Sequence, residues 1–322
     1  RDDVANGKAR VVHMSEPKYK VIGRMIFAVA LQMLTALPYT TFIGIGLNPH
    51  GPDWSNLYDR LSTNSMDCLC GDISGMEFTI PFYFAYLYCG WWDTVLPLTG
   101  KWARIRRHYI ISVLHPNVAI LRRVFAMSKG QGSGNELTQH FASWVTHTIH
   151  FMAWRSLKLT DDSFKLLVQG TTLGDDSIYT VKSTPDYNMV YLASFFRTLG
   201  MFYTVWTKGD VTVPYAHLHS VEFLKRSFKP AGRRYILAPL RLSSIYESIM
   251  WEDKSASDED RRNTARSALI DARHHDRATY DHIRDVLLRF SRLRKISLVL
   301  PTYDDAMQKF AIDYGEYESP LV

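Results

Sequence analysis

Cysteine is scarce in this 322-residue chain: Cys68, Cys70 and Cys89 make up the whole count. An odd number with no Cys-x-x-Cys pair offers neither a disulfide framework nor a zinc site. The three therefore read as core residues in a reducing compartment. Internal repeats and low-complexity tracts are absent as well. The chain opens on Arg-Asp-Asp, with no basic-then-apolar leader, so no signal peptide is expected, and the missing Met reads as a piece cut from a longer polypeptide. Long apolar runs are rare. Residues 25–47 carry no charge and are long enough to span a bilayer, but Gln32, three threonines, Pro38, Gly44 and Gly46 interrupt the run. Buried core is expected there, and no transmembrane span.

What is present is apolar and basic. Hydrophobic residues make up 46% and aromatics 13% of the chain, far from the composition of a disordered polypeptide. The net charge of +6 favours a polyanionic partner without identifying one.

Along the chain, a basic segment holding Lys8, Arg10, Lys18, Lys20 and Arg24 precedes a helical pattern from Ile22 to about Leu37. NPHGPDW at 48–54 reads as a loop leading into a short helix, SNLYDRL. CLCGDIS at 68–74 has the look of a short buried strand. The basic cluster KWARIRRH at 101–108 fits a solvated helix face. SKGQGSG at 128–134 is glycine-rich and runs into a helical segment through Thr138 and Trp144. KLLVQGTTLGDDSIYTV at 165–181 reads as two strands around a turn. Helical spacing follows over 187–199, MFYTVW is strand-like, and HSVEFLKRSF and RRYILAPL are further strand candidates. Beyond Ser243 the patterns are helical, separated by the polar stretch 252–264.

Gly174-Asp175-Asp176 is the chemically telling stretch. Between strands it reads either as a polar turn, since glycine supplies positive φ and aspartate bonds its own backbone, or as a metal site. Adjacent carboxylates repel, and a divalent cation with a preference for oxygen relieves that repulsion. Such a cation needs more ligands. Asp72, at the end of its own strand, is the candidate, although a strand-ending aspartate has structural uses too. Two metals shared between such aspartates suit in-line phosphoryl transfer.

The order of features is more specific than any one of them. DISGME at 72–77, GQGSGNELT at 130–138, LGDD at 173–176, GMFYTVWTK at 200–208 and FLKR at 223–226 occur in succession. This closely resembles the RNA-dependent RNA polymerases of picornavirus-like positive-strand RNA viruses, and SGNxLT resembles their dicistrovirus and iflavirus members. The resemblance covers nearly the whole chain. It implies an α+β right-hand polymerase fold: partial fingers with motif F over 1–60, an antiparallel-sheet palm with motifs A to E over 61–229 with a fingers-like insertion at about 90–125, and a mostly helical thumb over 230–322. It also implies that Asp72, Asp175 and Asp176 hold two Mg²⁺ ions, with Mn²⁺ as a substitute, and that Lys208 is the motif D general acid. Nucleotide contacts fall to Lys8, Arg10, Glu77, Ser133, Gly134 and Thr138, and primer or RNA contacts to Phe223, Leu224, Lys225 and Arg226. The implied partners are RNA template and primer, nucleoside triphosphates and other viral replication proteins, in the host cytoplasm at membrane-associated replication complexes.

The residues allow the same chemistry. A lysine can protonate a leaving pyrophosphate, and Arg can bind phosphate in a bidentate way. Two positions depart from the family pattern: Glu77 stands where a second motif A aspartate is usual, and Ala142 where motif B usually has asparagine. Both belong to ribose 2′-hydroxyl recognition, and the longer Glu77 is expected to reach the space left at Ala142. The basic loop between Asp3 and Gly7 is shorter than usual, and the family's N-terminal fingers would lie upstream of Arg1, so little activity is expected of residues 1–322 alone. A reverse transcriptase shares the two-metal palm but fits the SGxxxT and FLKR patterns poorly. A non-catalytic polymerase-like RNA-binding scaffold is the reading from another class, and a membrane protein built on residues 25–47 a third.

Overall fold

The computed structural model describes residues 16–318 except 37, 39, 40, 121, 127, 133, 183, 233, 234, 252 and 254. Lys8, Arg10 and Ser133 thus lie outside the described residues. The chain divides into two compact units: one holds the described residues through Gly46 together with Leu69–Tyr215, the other Leu47–Cys68 and Ala216 onward.

Beside a small antiparallel pair, β2 (Asn117–Ile120) with β3 (Arg123–Ala126), the first unit is organised on a sheet in the order β4-β5-β1-β6. Strand β1 (Asp67–Ser74) is buried at every position but its ends. It runs antiparallel to β6 (Phe202–Val205), with Asp72 opposite Thr204. Strands β4 (Val168–Leu173) and β5 (Asp176–Val181) form an antiparallel hairpin that closes with Leu173 opposite Asp176. The sequence pattern extends the first of these strands back to Lys165. Instead, residues 165–167 end a helix, α7 (Asp161–Leu167), because Thr160 caps Ser163 N–H and Asp161 and Asp162 occupy its first turn.

Helix α6 (Thr138–Ser156) packs on β4 and is the most buried helix of the unit. Its core face carries Phe141, Val145, Ile149 and Trp154, all fully enclosed. Helices α4 (Tyr83–Val95) and α5 (Gly100–Leu114) pack against each other, and α8 (Met189–Thr198) packs on β6. The basic cluster at 101–108 lies on α5 and is not a uniformly solvated face. Arg106 is fully buried, bonded to Asp93 and to the Leu96 carbonyl, while Arg107 meets the same Asp93 from the exposed side.

Helix α1 (Pro17–Thr35) corrects the expectation of a buried run. Only Gly23 and Phe27 are buried, Phe27 against Trp92 and Tyr109. Val21, Met25, Val29 and Met33, spaced every four residues, form an exposed apolar stripe. Among the described residues, no helix is long and apolar enough to cross a membrane.

In the second unit, α2 (Pro52–Asn64) lays Trp54 flat on Phe228 at 4.7 Å, and Trp54 Nε1 donates to the Ser227 carbonyl. The two-residue β7 (Ala216–His217) pairs with Cys68 and Asp67, and β8 (Lys229–Ala231) with β9 (Tyr235–Leu237). HSVEFLKRSF is therefore not a strand: a short 3-10 turn ends at Ser220, and only Phe223 and Arg226 bridge, around the turn between them. Helices α9 (Leu242–Met250), α10 (Asp258–Ala272) and α11 (Arg277–Arg294) bury Ile245, Leu269, Ile283 and Leu287 in one core. Helix α12 (Tyr303–Glu318) adds Phe310 and Tyr314 to a smaller one. Much of the polar stretch 252–264 is helical, because Ser257 and Asp260 form a reciprocal capping box.

Candidate active site

Residues far apart in sequence bring three carboxylates together. Asp72 is delivered by β1, Asp175 by the turn after β4 and Asp176 by the first position of β5, and their oxygens lie within 4.8 Å of one another. The strands are locked by Ile73 N–H donating to the Asp175 carbonyl at 3.2 Å and by Ser177 Oγ donating to the Gly71 carbonyl. Asp72 is buried; Asp175 and Asp176 are partly exposed. Burial first, and the neighbouring Asp72 second, push the Asp175 carboxyl above its ordinary 3.8, against the pull of Lys208. Lys208 Nζ sits 3.5 Å from Asp72, and Lys208 itself holds a left-handed φ of 63°.

This donor set fits a hard divalent cation: carboxylate oxygens only, converging, and too close for all to ionise comfortably without a counter-charge.

The turn is held by α6. Gly174 has φ +69°, the conformation a two-residue hairpin asks of its first position. Its N–H donates to Ser143 Oγ at 2.8 Å, and its carbonyl accepts from Thr146 Oγ1 at 2.7 Å. A side chain at 174 would meet Gln139 Nε2 at 2.8 Å. Ser143 is tied in turn to the Gln139 carbonyl, and its own carbonyl accepts from Thr172 Oγ1. Sequence reading missed Gln139, Ser143 and Thr146. Their signal is a polar i, i+4, i+7 stripe on a helix otherwise buried by apolar residues.

The glycine-rich segment turns its backbone to its own unit. A Cβ at Gly130, which has φ +86°, would lie 2.3 Å from the Glu77 carbonyl, and one at Gly132 would lie 2.5 Å from the Val113 carbonyl. Gly130 N–H donates to Ile80, Gln131 N–H to Glu77 and Gly132 N–H to Leu114. Thr138 Oγ1 donates to the Gly132 carbonyl, and Asn135 Nδ2 bonds both Gly132 and Val113. Gly134 also has positive φ, at 78°. Glu77 is the second residue of the short helix α3 (Met76–Thr79). Its carboxylate forms no ion pair or hydrogen bond among the described residues. Ala142 is buried on α6.

The FLKR stretch is a hairpin tip. Phe223 and Arg226 exchange backbone hydrogen bonds, and Leu224 and Lys225 between them hold φ of 56° and 61°, unusual for residues with side chains. Phe223 is buried beside Trp54. Arg226 points inward, donating to Asp271 at 2.7 Å and to the Ala238 carbonyl at 3.0 Å. A ring of bonds closes on it. Ala238 N–H donates to His274 Nδ1, which puts the His274 proton on Nε2, facing His50 Nδ1 at 3.0 Å, and His50 Nε2 faces Asp271 at 3.4 Å. Both imidazoles are neutral: burial, with nearby cations, takes His50 down to about 4 and His274 to about 2. The tip thus offers Leu224 and Lys225 outward, while Phe223 and Arg226 anchor it.

The genome polyprotein of rice tungro spherical virus (strain Vt6) is 26% identical over 316 residues, covering 91% of this chain and 9% of the polyprotein. The RNA1 polyprotein of cherry rasp leaf virus is 24% identical over 332 residues, covering 94% of the chain and 14% of the polyprotein. The chain therefore spans a small fraction of these curated relatives. Among solved structures, the "Sicinivirus 3Dpol RNA dependent RNA polymerase" superposes with a TM-score of 0.79 at 18% identity, over 96% of this chain and 64% of that one, so the fold is shared. The family model described as "Viral RNA-dependent RNA polymerase" matches residues 1–291. The chain belongs to the viral RNA-dependent RNA polymerase family.

Proposed function

We propose that this chain carries out template-directed RNA synthesis: an RNA 3′-hydroxyl attacks the α-phosphate of a nucleoside triphosphate, and pyrophosphate leaves. The observation that carries the reading is the convergence of Asp72, Asp175 and Asp176 within 4.8 Å, with Lys208 beside them. Asp72, Asp175 and, in a supporting contact, Asp176 would hold two Mg²⁺ ions, or Mn²⁺ in their place. When bound, such ions supply charge neutralisation at the attacking and leaving oxygens. Lys208, its side chain 70% exposed, can reach a departing pyrophosphate and give it a proton.

The remaining roles are read from position. Glu77, whose carboxylate is unengaged among the described residues, would be suited to the ribose 2′-hydroxyl, using the space left at Ala142. Ser133, Gly134 and Thr138 shape the nucleotide side through the glycine loop. Lys8 and Arg10 would grip the triphosphate. Leu224 and Lys225 would meet the primer, with Phe223 and Arg226 holding the tip. Residues 1–60 would then be partial fingers, 61–229 the palm and 230–322 the thumb. The partners are RNA template and primer, nucleoside triphosphates and further replication proteins, at cytoplasmic membrane-associated complexes.

The test is RNA primer extension in Mg²⁺ and in Mn²⁺ by residues 1–322, by the same chain extended upstream, and by Asp175→Asn in both. The extended chain should incorporate nucleotides and Asp175→Asn should not; equal incorporation by the variant ends the assignment. Ribose selection is tested separately. Glu77→Ala should lose discrimination between ribo- and deoxyribonucleotides, and unchanged discrimination removes Glu77 from that role.

A further inference from the structure

The second unit contains a cavity of about 830 Å³ that shares no residue with the aspartate site. Its volume lies within the range of pockets that take small molecules. Leu269, Val299 and Pro301 contribute apolar wall, while Arg266, Arg273 and Lys309 bring cations to it.

Arg273 is the unusual member. It follows the last residue of α10, is only 5% exposed and stacks its guanidinium over the Phe310 ring at 4.9 Å. Its Nε has no hydrogen-bond partner among the described residues. Two acids act on it electrostatically, Asp313 and Asp271, and both are engaged elsewhere. Asp313 pairs with Lys309 at 3.1 Å, and Asp271 pairs with Arg226 at 2.7 Å. A buried cation whose neighbouring acids are already taken is costly unless an anion meets it. His50, also on the wall, is neutral and adds no charge.

We propose that this cavity binds a small organic oxyanion, a phosphate or carboxylate carried on an apolar body. Arg273 is its buried anchor, and Arg266 and Lys309, paired with Glu259 at 3.6 Å and with Asp313 at 3.1 Å, add charge at its edge. A guanidinium offers paired N–H donors that match either oxyanion. The apolar wall requires a body to cover it, which a bare inorganic ion lacks. A polyanion suits the cavity poorly, because Asp305 and Asp313 stand among its lining residues.

The experiment is calorimetric titration of the full chain with phenyl phosphate and benzoate, and with inorganic phosphate and benzyl alcohol as the halves of the recognition. One or both aromatic anions should bind about tenfold or more tightly than inorganic phosphate and benzyl alcohol, and the stronger of the two identifies the oxyanion. Arg273→Met should weaken that binding by about tenfold or more while far-ultraviolet circular dichroism shows the fold retained. If that variant fails to fold, the paired surface changes Arg266→Gln and Lys309→Gln carry the test and should also weaken binding. The proposal is overturned if neither aromatic anion binds, if inorganic phosphate binds as tightly as both, or if affinity is unchanged in folded Arg273→Met or in the double variant.

Discussion

Replacing Asp175 by asparagine should destroy the activity proposed for the chain while making the metal-free protein more stable. Three carboxylates lie within 4.8 Å of one another, and at an effective dielectric of about 20 a charged pair at that distance repels by about 3.5 kcal/mol. Lys208 at 3.5 Å from Asp72 offsets part of this, and the partial exposure of Asp175 screens more. A net gain of about 1–2 kcal/mol for Asp175→Asn is left, a rise of roughly 2–8 °C in unfolding temperature. The pH dependence fixes the sign. Because the folded-state pKa of Asp175 lies above its ordinary 3.8, the folded protein holds that proton more tightly than the unfolded chain does. Stability is therefore lost as pH rises from 3.8 through the raised value, and the penalty is complete at neutral pH. Scanning calorimetry in chelator should show the variant melting higher near neutral pH, with the difference closing in acid. Mg²⁺ should then raise the melting temperature of the unsubstituted chain more than that of the variant. An asparagine variant that melts no higher in chelator, or gains equally from Mg²⁺, would refute the carboxylate-crowding account.

Thr146→Val removes the hydroxyl that bonds the Gly174 carbonyl and leaves that oxygen unpaired; urea unfolding should show a loss of about 1–3 kcal/mol, and primer extension should fall with it. Gly130→Ala sets a Cβ 2.3 Å from the Glu77 carbonyl at a φ of +86°, so its unfolding midpoint should drop by more than the roughly 1 kcal/mol of an ordinary glycine replacement; an unchanged midpoint would show that the loop does not press on α3. Lys225 and Arg226 should separate cleanly. Arg226→Met strands Asp271 and should cost about 3–5 kcal/mol in denaturant melts, whereas Lys225→Ala should leave stability alone and weaken primer binding, measured by fluorescence anisotropy across a salt series.

The carboxylate site was legible because its chemistry demands a residue type at a strand end, and aspartates at such positions stand out against apolar strands. Asp72 and Asp175 could be paired without knowing the path of the chain between them. What holds them could not. Ser143 and Thr146 look like ordinary polar residues of a helix until the face of α6 that meets the Gly174 turn is known. Helix ends were misjudged where side-chain caps decide them: Thr160 turns Lys165–Leu167 from strand to helix, and Ser257 with Asp260 starts a helix inside a stretch that composition marks as a separator. FLKR was legible as a unit but not in its division of labour. Which of its residues face inward depends on a two-residue turn with positive φ, a conformation that Leu and Lys do not advertise. Burial of α1 was overestimated because apolar composition says how many residues could be covered, not whether a partner surface stands opposite.

Gly174 is gripped at both its N–H and its carbonyl by side chains one turn apart on α6, and the same helix begins with Thr138 bonded to the glycine loop. Loop, helix and the Asp175 turn are therefore linked in series by side-chain hydrogen bonds. Both attachments fall in the first half of α6, with Ser143 and Thr146 five and eight residues after Thr138, so the glycine loop and the Asp175 turn are fastened to one short stretch of helix. A displacement of the loop that carries Thr138 with it is expected to move the Asp175 turn as well, and with it the spacing of the three carboxylates.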